Sequence, residues 1–289
     1  MEFNTGHFIS SGAQGKVSLF YDDDDKTDFA VKVFECEYSF QNEKGALEAL
    51  GDCSNIVKLY NPPDDLHIPS SSLALVYYSN GDLLTFLEKL QVRGLREDMA
   101  KYILKQILMG CKNAHDRGYI HRDIKLENIF LDDYYCPHVG DFGLASNNVT
   151  VIGKPIGTPS YLAPEMFTGS QCDGRKVDVW AIGVLFFLML TSNFPFAKEG
   201  PNEKNWCLRQ LALKKTNAFW DYHQKYSAQP ISPGAKYFFE KVFVLDPNQR
   251  VGIDDILDDD WLKLDIVADD EAYVVMESLN ADLNVDDAH

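Results

Sequence analysis

"YIHRDIKLENIF", residues 119–130, puts Asp123, Lys125 and Asn128 within one tight loop. "GDFGLA" (140–145) follows and adds Asp141. Two carboxylates and an amide this close in sequence suit Mg²⁺ and a hydroxyl nucleophile. Far upstream, "ISSGAQGKV" (9–17) carries Gly12 and Gly15, and glycine lets backbone N–H groups approach phosphate oxygens. "FAVKV" (29–33) sets Lys32 on a strand whose apolar neighbours would turn it into a cleft. Each string alone has a plainer reading: most such glycine turns are only turns, and most strand lysines face water. Their order along one chain is what carries weight.

Composition bounds the class. The 289 residues are 45% hydrophobic and 25% charged, enough for one large domain or two lobes with a sizeable core. Forty-four acids against 27 Lys and Arg give a net charge of −17. That balance argues against nucleic acid and membrane surfaces and favours basic partners. Cys36, Cys53, Cys111, Cys136, Cys172 and Cys207 lack C-x-x-C spacing and read as free thiols of a reducing compartment, the cytoplasm or alternatively the nucleus. No apolar signal segment opens the chain. The longest apolar run, "VWAIGVLFFLML" (179–190), has 12 residues, too few to span a bilayer but suited to a helix buried all round.

Residues 7–35 read as three strands, with the acidic turn "DDDDKTD" (22–28) between the last two. That acid run reads as a solvated hairpin turn rather than a cation site. "NEKGALEALG" (42–51) is a short helix ending at Gly51, and "IVKLY" and "LALVYY" read as two further strands. From Asp82 the period becomes helical; Ile103, Ile107 and Cys111 would share one helix face. Residues 265–289 hold eight acids and no Lys or Arg. They read as a frayed acidic tail or as a docked helix with Tyr273, Val274, Val275, Met276, Leu279 and Leu283 on its apolar face.

Taken together the strings resemble a protein kinase over about residues 7–264: glycine loop, strand lysine, H-R-D-x-K-x-x-N, D-F-G, A-P-E, D-V-W and a late arginine, in order. The resemblance implies an α+β, two-lobed fold with an antiparallel-sheet N-lobe bearing one control helix (1–77), a hinge (78–81), a mainly helical C-lobe (82–264) and an acidic tail (265–289). It implies ATP and Mg²⁺ as cofactors and protein substrates as partners. Lys32 would hold the α- and β-phosphates, and Glu43 would pair with Lys32, with Glu48 as the alternative. Asp141 and Asn128 would be the metal ligands. Asp123 would accept the substrate hydroxyl's hydrogen bond, and Lys125 would meet the γ-phosphate. Gly12 and Gly15 belong to the phosphate loop. Adenine would lie between Val17 and Ala30 above and Phe130 below. Leu75 would guard the back pocket, the Val76 carbonyl and Tyr78 N–H would bond the adenine edge, and Asp82 would face the ribose or a substrate.

The same resemblance implies a buried stack of Leu47, Leu59, His121 and Phe142, with Asp178 fastening the catalytic loop and Glu165 pairing with Arg250. Lys125 and Thr158 match the serine/threonine class, Thr158 being expected to bond Asp123 and Lys125. "GTPSYLAPE", "VDVWAIGVLFF" and "FPF" look most like the calcium/calmodulin-dependent kinase group. Asp82 and Glu127 match acidic positions that receive a basic residue ahead of the target in basophilic relatives. Three features depart from the pattern. Ser10 stands where the first loop glycine belongs, Gln14 replaces an aromatic at the loop tip, and only 10 residues separate Lys32 from Glu43, which suggests a clipped control helix. They leave a nucleotide-binding scaffold without transfer as the alternative. Lys154 occupies the position where many relatives carry a phosphorylated threonine. A lysine would repel Arg122, so either the segment is held without phosphate, the reading adopted, or Thr150 is the site.

Overall fold

Strict alternation builds the upper sheet. In "DFAVKVF", Phe29 and Val31 point one way and Ala30 and Lys32 the other, as successive strand side chains must. The computed structural model describes residues 6–12, 15–63, 66, 68–197, 205–227 and 229–286. Among these, strands β1 (His7–Gly12), β2 (Gly15–Asp22), β3 (Thr27–Phe34) and β4 (Ser72–Val76) form an antiparallel sheet in the order β1-β2-β3-β4. Val17 lies opposite Lys32, and Ala30 opposite Leu75, so these side chains share one face of the sheet. On the other face Phe29 and Val31 bury with Ala74 in a small cluster capped by Tyr60.

Helix α1 (Glu37–Leu50) crosses beneath this sheet. It starts five residues before the predicted helix, so its front is not clipped. No side chain caps it at Cys36; Phe40, buried and packed on Phe34 at 5.6 Å, ties the first turn to β3. The predicted strand 56–60 is reduced to two isolated bridges, Ile56 with Val139 and Leu59 with Leu75.

The lower lobe is helical: α2 (Leu83–Lys89), α3 (Glu97–Asp116), α4 (Gly174–Thr191), α5 (Trp206–Ala212), α6 (Thr216–Gln224), α7 (Pro233–Val242), α8 (Ile253–Leu257) and α9 (Asp260–Lys263). Ile103, Ile107 and Cys111 are buried along α3, and α4 is buried on nearly every side. No described helix is long and apolar enough to cross a membrane. Two short antiparallel pairs flank the candidate site: β5 (Ile129–Leu131) with β6 (Pro137–Val139), and β7 (Thr150–Ile152) with β8 (Gln171–Asp173).

The acidic tail is a docked helix, α10 (Asp269–Asp286). Its inner face is Ala272, Val275, Met276 and Leu279, while Val274 faces out and Tyr273 lies against Tyr134 and Tyr135. Leu283 lies beyond the residues whose side chains are described.

Candidate active site

The 119–130 loop has no regular structure of its own, so buried groups must hold it. Asp178, on α4, accepts the backbone N–H of His121 and Arg122, both at 2.9 Å, and the His115 ring at 2.8 Å. Although burial works the other way, the His115 hydrogen bond keeps the Asp178 carboxyl below the usual range. The anchor matters because Arg122 adopts a left-handed φ of 67°, which costs a non-glycine residue about 1–3 kcal/mol. His121 donates its Nε2–H to the Gly140 carbonyl at 2.8 Å and packs on Phe142 at 4.7 Å; it is a packed structural group. Leu47 and Phe142 are buried with it, but Leu59 is 37% exposed and does not complete the stack. Leu59 sits on an irregular segment bridged to the edge strand β4, where its side chain is left partly open.

With the loop fixed, Asp123 becomes the centre of a network. Its Oδ1 accepts both the N–H and the hydroxyl of Thr158 at 2.8 Å. Lys125 Nζ donates to Thr158 Oγ1 at 3.1 Å and stands 3.4 Å from Asp123 Oδ2. Gly157 permits this approach: its φ is +107°, and a Cβ there would fall 2.4 Å from the Arg122 carbonyl. Asn128 donates its amide N–H to the Asp123 carbonyl at 2.9 Å, which leaves its amide oxygen for another partner.

On the facing wall, Lys32 Nζ lies 2.6 Å from Glu43 Oε2 and 2.8 Å from Asp141 Oδ1. Glu48 is exposed on the far side of α1, near Lys44. Burial alone would lower the Lys32 ammonium, but the two carboxylates outweigh it and raise its pKa. Burial pushes Glu43 up to about 7 against the pull of Lys32, and Asp141 adds repulsion. Asp141 itself is left-handed, φ 63°. Among the described residues, Glu43, Asp123 and Asp141 therefore have Lys32 and Lys125 as their ion-pair partners. This surplus of carboxylate oxygens, with the Asn128 amide oxygen, is an all-oxygen donor set of the kind that hard cations such as Mg²⁺ take.

The strands bring the remaining predicted residues to one cleft face. Val17, Ala30 and Leu75 share the Lys32 side of the sheet. Phe130, on β5, packs near the Tyr78 ring at 6.1 Å, and its backbone bridges Asp82. The Val76 N–H is used by the Lys58 carbonyl at 3.0 Å. Gly12 and Gly15 pair across β1 and β2. Ser10 pairs with Val17, and Gln14 lies outside the described residues. The Asp82 carboxylate caps α2, accepting from the Thr85 N–H at 2.9 Å and its hydroxyl at 2.7 Å. It is therefore partly spent on helix capping, a use its position just before an apolar helical run signals.

The protein kinase domain family matches residues 3–262. The chain belongs to the protein kinase family. It is similar to the SNF1-like protein kinase ssp2 of Schizosaccharomyces pombe, 31% identical over 73% of this chain and 34% of that protein. It is also similar to the carbon catabolite-derepressing protein kinase of Saccharomyces cerevisiae, 28% identical over 89% of this chain and 40% of that protein. The CBL-interacting serine/threonine-protein kinase 15 of Arabidopsis thaliana is 26% identical over 91% of this chain and 61% of its own length. The chain thus spans between about a third and three fifths of the length of these three relatives.

The stretch from Asp141 to Glu165 is tied down largely by backbone bonds. Ile120 and Ser146 exchange two hydrogen bonds of 2.8 Å, β7 pairs with β8, and Gly153 bonds Ser170 and Gly169. The Arg122 guanidinium donates to the Leu144 and Ala145 carbonyls at 2.7 and 3.2 Å. No sequence signal gave that partner, because a carbonyl has no residue identity. Lys154 is exposed, as is Thr150 on β7. Glu165 closes the segment by a bidentate pair with Arg250 at 2.7 and 2.9 Å.

Proposed function

We propose that the chain is an Mg·ATP-dependent serine/threonine protein kinase of the cytoplasm or nucleus, active without phosphate on its activation segment. The observation that carries this reading is the pair of facing networks, Asp123–Lys125–Thr158 and Lys32–Glu43–Asp141. When bound, Mg·ATP supplies the γ-phosphoryl group and neutralises much of its charge. Lys32 would bind the α- and β-phosphates, with Glu43 fixing its direction, and Asp141 and the Asn128 oxygen would hold the metal. Asp123 orients the substrate hydroxyl and takes its proton late in transfer. Lys125 offsets negative charge on the moving group. Thr158 fixes both, shaping a floor for a serine or threonine. The scaffold alternative draws only on Ser10, Gln14 and the short approach to Glu43; the Lys32–Glu43 distance removes the last of these as support.

A preference for basic sequences is part of the proposal. Oε2 of Glu127, in the catalytic loop, is buried with no hydrogen-bond partner. An unpaired buried carboxylate oxygen is costly and invites a cation. An arginine or lysine ahead of the target would supply it, consistent with the net charge of −17.

The test is phosphate transfer from labelled ATP and Mg²⁺ to a basic serine peptide, using phosphatase-treated protein. Transfer is expected, and Asp141→Asn should lower it about a thousandfold, the several kcal/mol a metal supplies. Bound ATP with no transfer by the unsubstituted protein would overturn activity without phosphate, leaving either Thr150 or a partner as the missing switch or the scaffold reading. A peptide array without enrichment of Arg or Lys before the target would remove the basic preference.

A further inference from the structure

The β5–β6 hairpin turns through residues 132–136, on the side of the lower lobe away from the phosphates. Asp132, Cys136 and His138 converge there, their ligand-type atoms all within 4.8 Å of one another. All three are partly buried. The turn itself explains only Asp132, whose Oδ1 accepts the Tyr134 and Cys136 N–H groups at 2.9 Å. A thiol and an imidazole beside it are not needed to make a turn.

Three further observations favour a bound cation. Asp132 Oδ2 is 3.0 Å from His138 Nε2, so carboxylate and imidazole already face each other. His138 Nδ1 is buried and lacks a hydrogen-bond partner, so nothing bonded to it resists a small swing of the ring. Among the described residues, the Cys136 Sγ has one hydrogen-bond contact, from the Asn55 amide at 3.5 Å, a weak one that a metal bond would outweigh. The mix of one sulfur, one nitrogen and one oxygen decides the ion. Mg²⁺ and Ca²⁺ take oxygen; a thiolate with imidazole and carboxylate in a small tetrahedral set suits Zn²⁺. Zinc bonds of about 2.0–2.3 Å require the outermost pair of ligand atoms to close by roughly 1 Å, within reach of side-chain rotation in a five-residue turn.

We propose that Asp132, Cys136 and His138 form a Zn²⁺ site with water as its fourth ligand. On binding, the Cys136 S–H bond breaks, its sulfur bonds the metal, and the proton leaves to solvent. The site hangs on the segment joining the lobes. The Tyr78 ring packs on His138 at 4.8 Å, and the Asn80 amide donates to the Asp132 carbonyl at 2.8 Å.

The test uses the metal-stripped full chain and Zn²⁺ or Co²⁺ alone. One equivalent of Zn²⁺ should bind with a Kd of about 1 μM or tighter. Co²⁺ should give thiolate charge-transfer absorption. Cys136→Ser and His138→Gln should each weaken binding at least about tenfold, since losing even an outer-shell partner costs that much. Cys36→Ser, which removes an exposed thiol elsewhere, should leave it unchanged. Cobalt absorption that survives Cys136→Ser overturns the proposal. Should that variant not fold, the unsubstituted chain decides: Zn²⁺ must protect Cys136 from alkylation, mapped by mass spectrometry. Equal alkylation with and without Zn²⁺ overturns it.

Discussion

Two buried glutamates each meet one cation in this protein, and the pairs differ in what surrounds them. Glu165 and Arg250 form a closed unit. The guanidinium makes two bonds to the carboxylate, donates also to the Lys176 and Val244 carbonyls, and lies 4.9 Å from the Trp180 ring. Glu43 and Lys32 form an open one: the lysine is shared with Asp141, so two carboxylates compete for one positive charge. A saturated pair holds structure. An unbalanced pair is ready for a further cation, which is what a site for metal and phosphate requires.

The comparison breaks most readily at Arg250. Replacing it with Met leaves Glu165 buried and unpaired, and should cost about 3–5 kcal/mol of stability, read by denaturant unfolding. A loss below about 1 kcal/mol would show that the lower pair is not the structural one.

A second weak point of the lower lobe is a neutral buried group that must accept a proton. Burial lowers His223 to about 4, against the Pro195 carbonyl that raises it. A depressed histidine contributes stability that is present above its unfolded pKa of about 6.5 and lost as pH falls toward 4. The loss should reach about 3 kcal/mol, and His223→Gln should flatten that stretch of the pH–stability curve.

Glu43→Gln sharpens the contrast, because here removing charge should not destabilise. With its pKa raised to about 7, Glu43 contributes stability below its unfolded value that is lost as pH rises through about 7. The amide variant should therefore match the parent near pH 5 and be the more stable at pH 8 in thermal melts. Transfer should nonetheless fall by about tenfold, with a higher KM for ATP, as Lys32 loses its guide. Equal destabilisation by this change and by Arg250→Met would erase the distinction between the pairs.

The smallest effect belongs to Thr150→Ala. A segment held by Arg122, the β7–β8 ladder and the Ile120–Ser146 bonds should keep its activity within about twofold. A fall of more than about tenfold would assign Thr150 a phosphate.

What was legible in the sequence follows from how local each signal is. Asp123, Lys125 and Asn128 lie within six residues, so their chemistry could be read before any fold was known. Lys32 and Asp141 were legible through their neighbours, an alternating strand and a glycine turn. The start of α1 was not: residues 37–41 carry no capping signal, and the packing of Phe40 on Phe34 decides it. Of the tail's expected inner face, Val275, Met276 and Leu279 do pack on the core, whereas Val274 faces out, Tyr273 meets Tyr134 and Tyr135 instead, and Ala272, too small to signal a stripe, is buried. Leu59 was placed in the stack by the resemblance alone; its backbone does pair with the edge strand, yet the side chain stays 37% exposed.

The Arg122 contacts have a consequence for control. Where that guanidinium waits for a phosphate, a second enzyme writes the mark and a third erases it. Here the chain's own carbonyls fill the place, so there would be no mark to erase. Output would then follow the amount of protein made and the supply of ATP and target, like a current set by its source rather than by a switch.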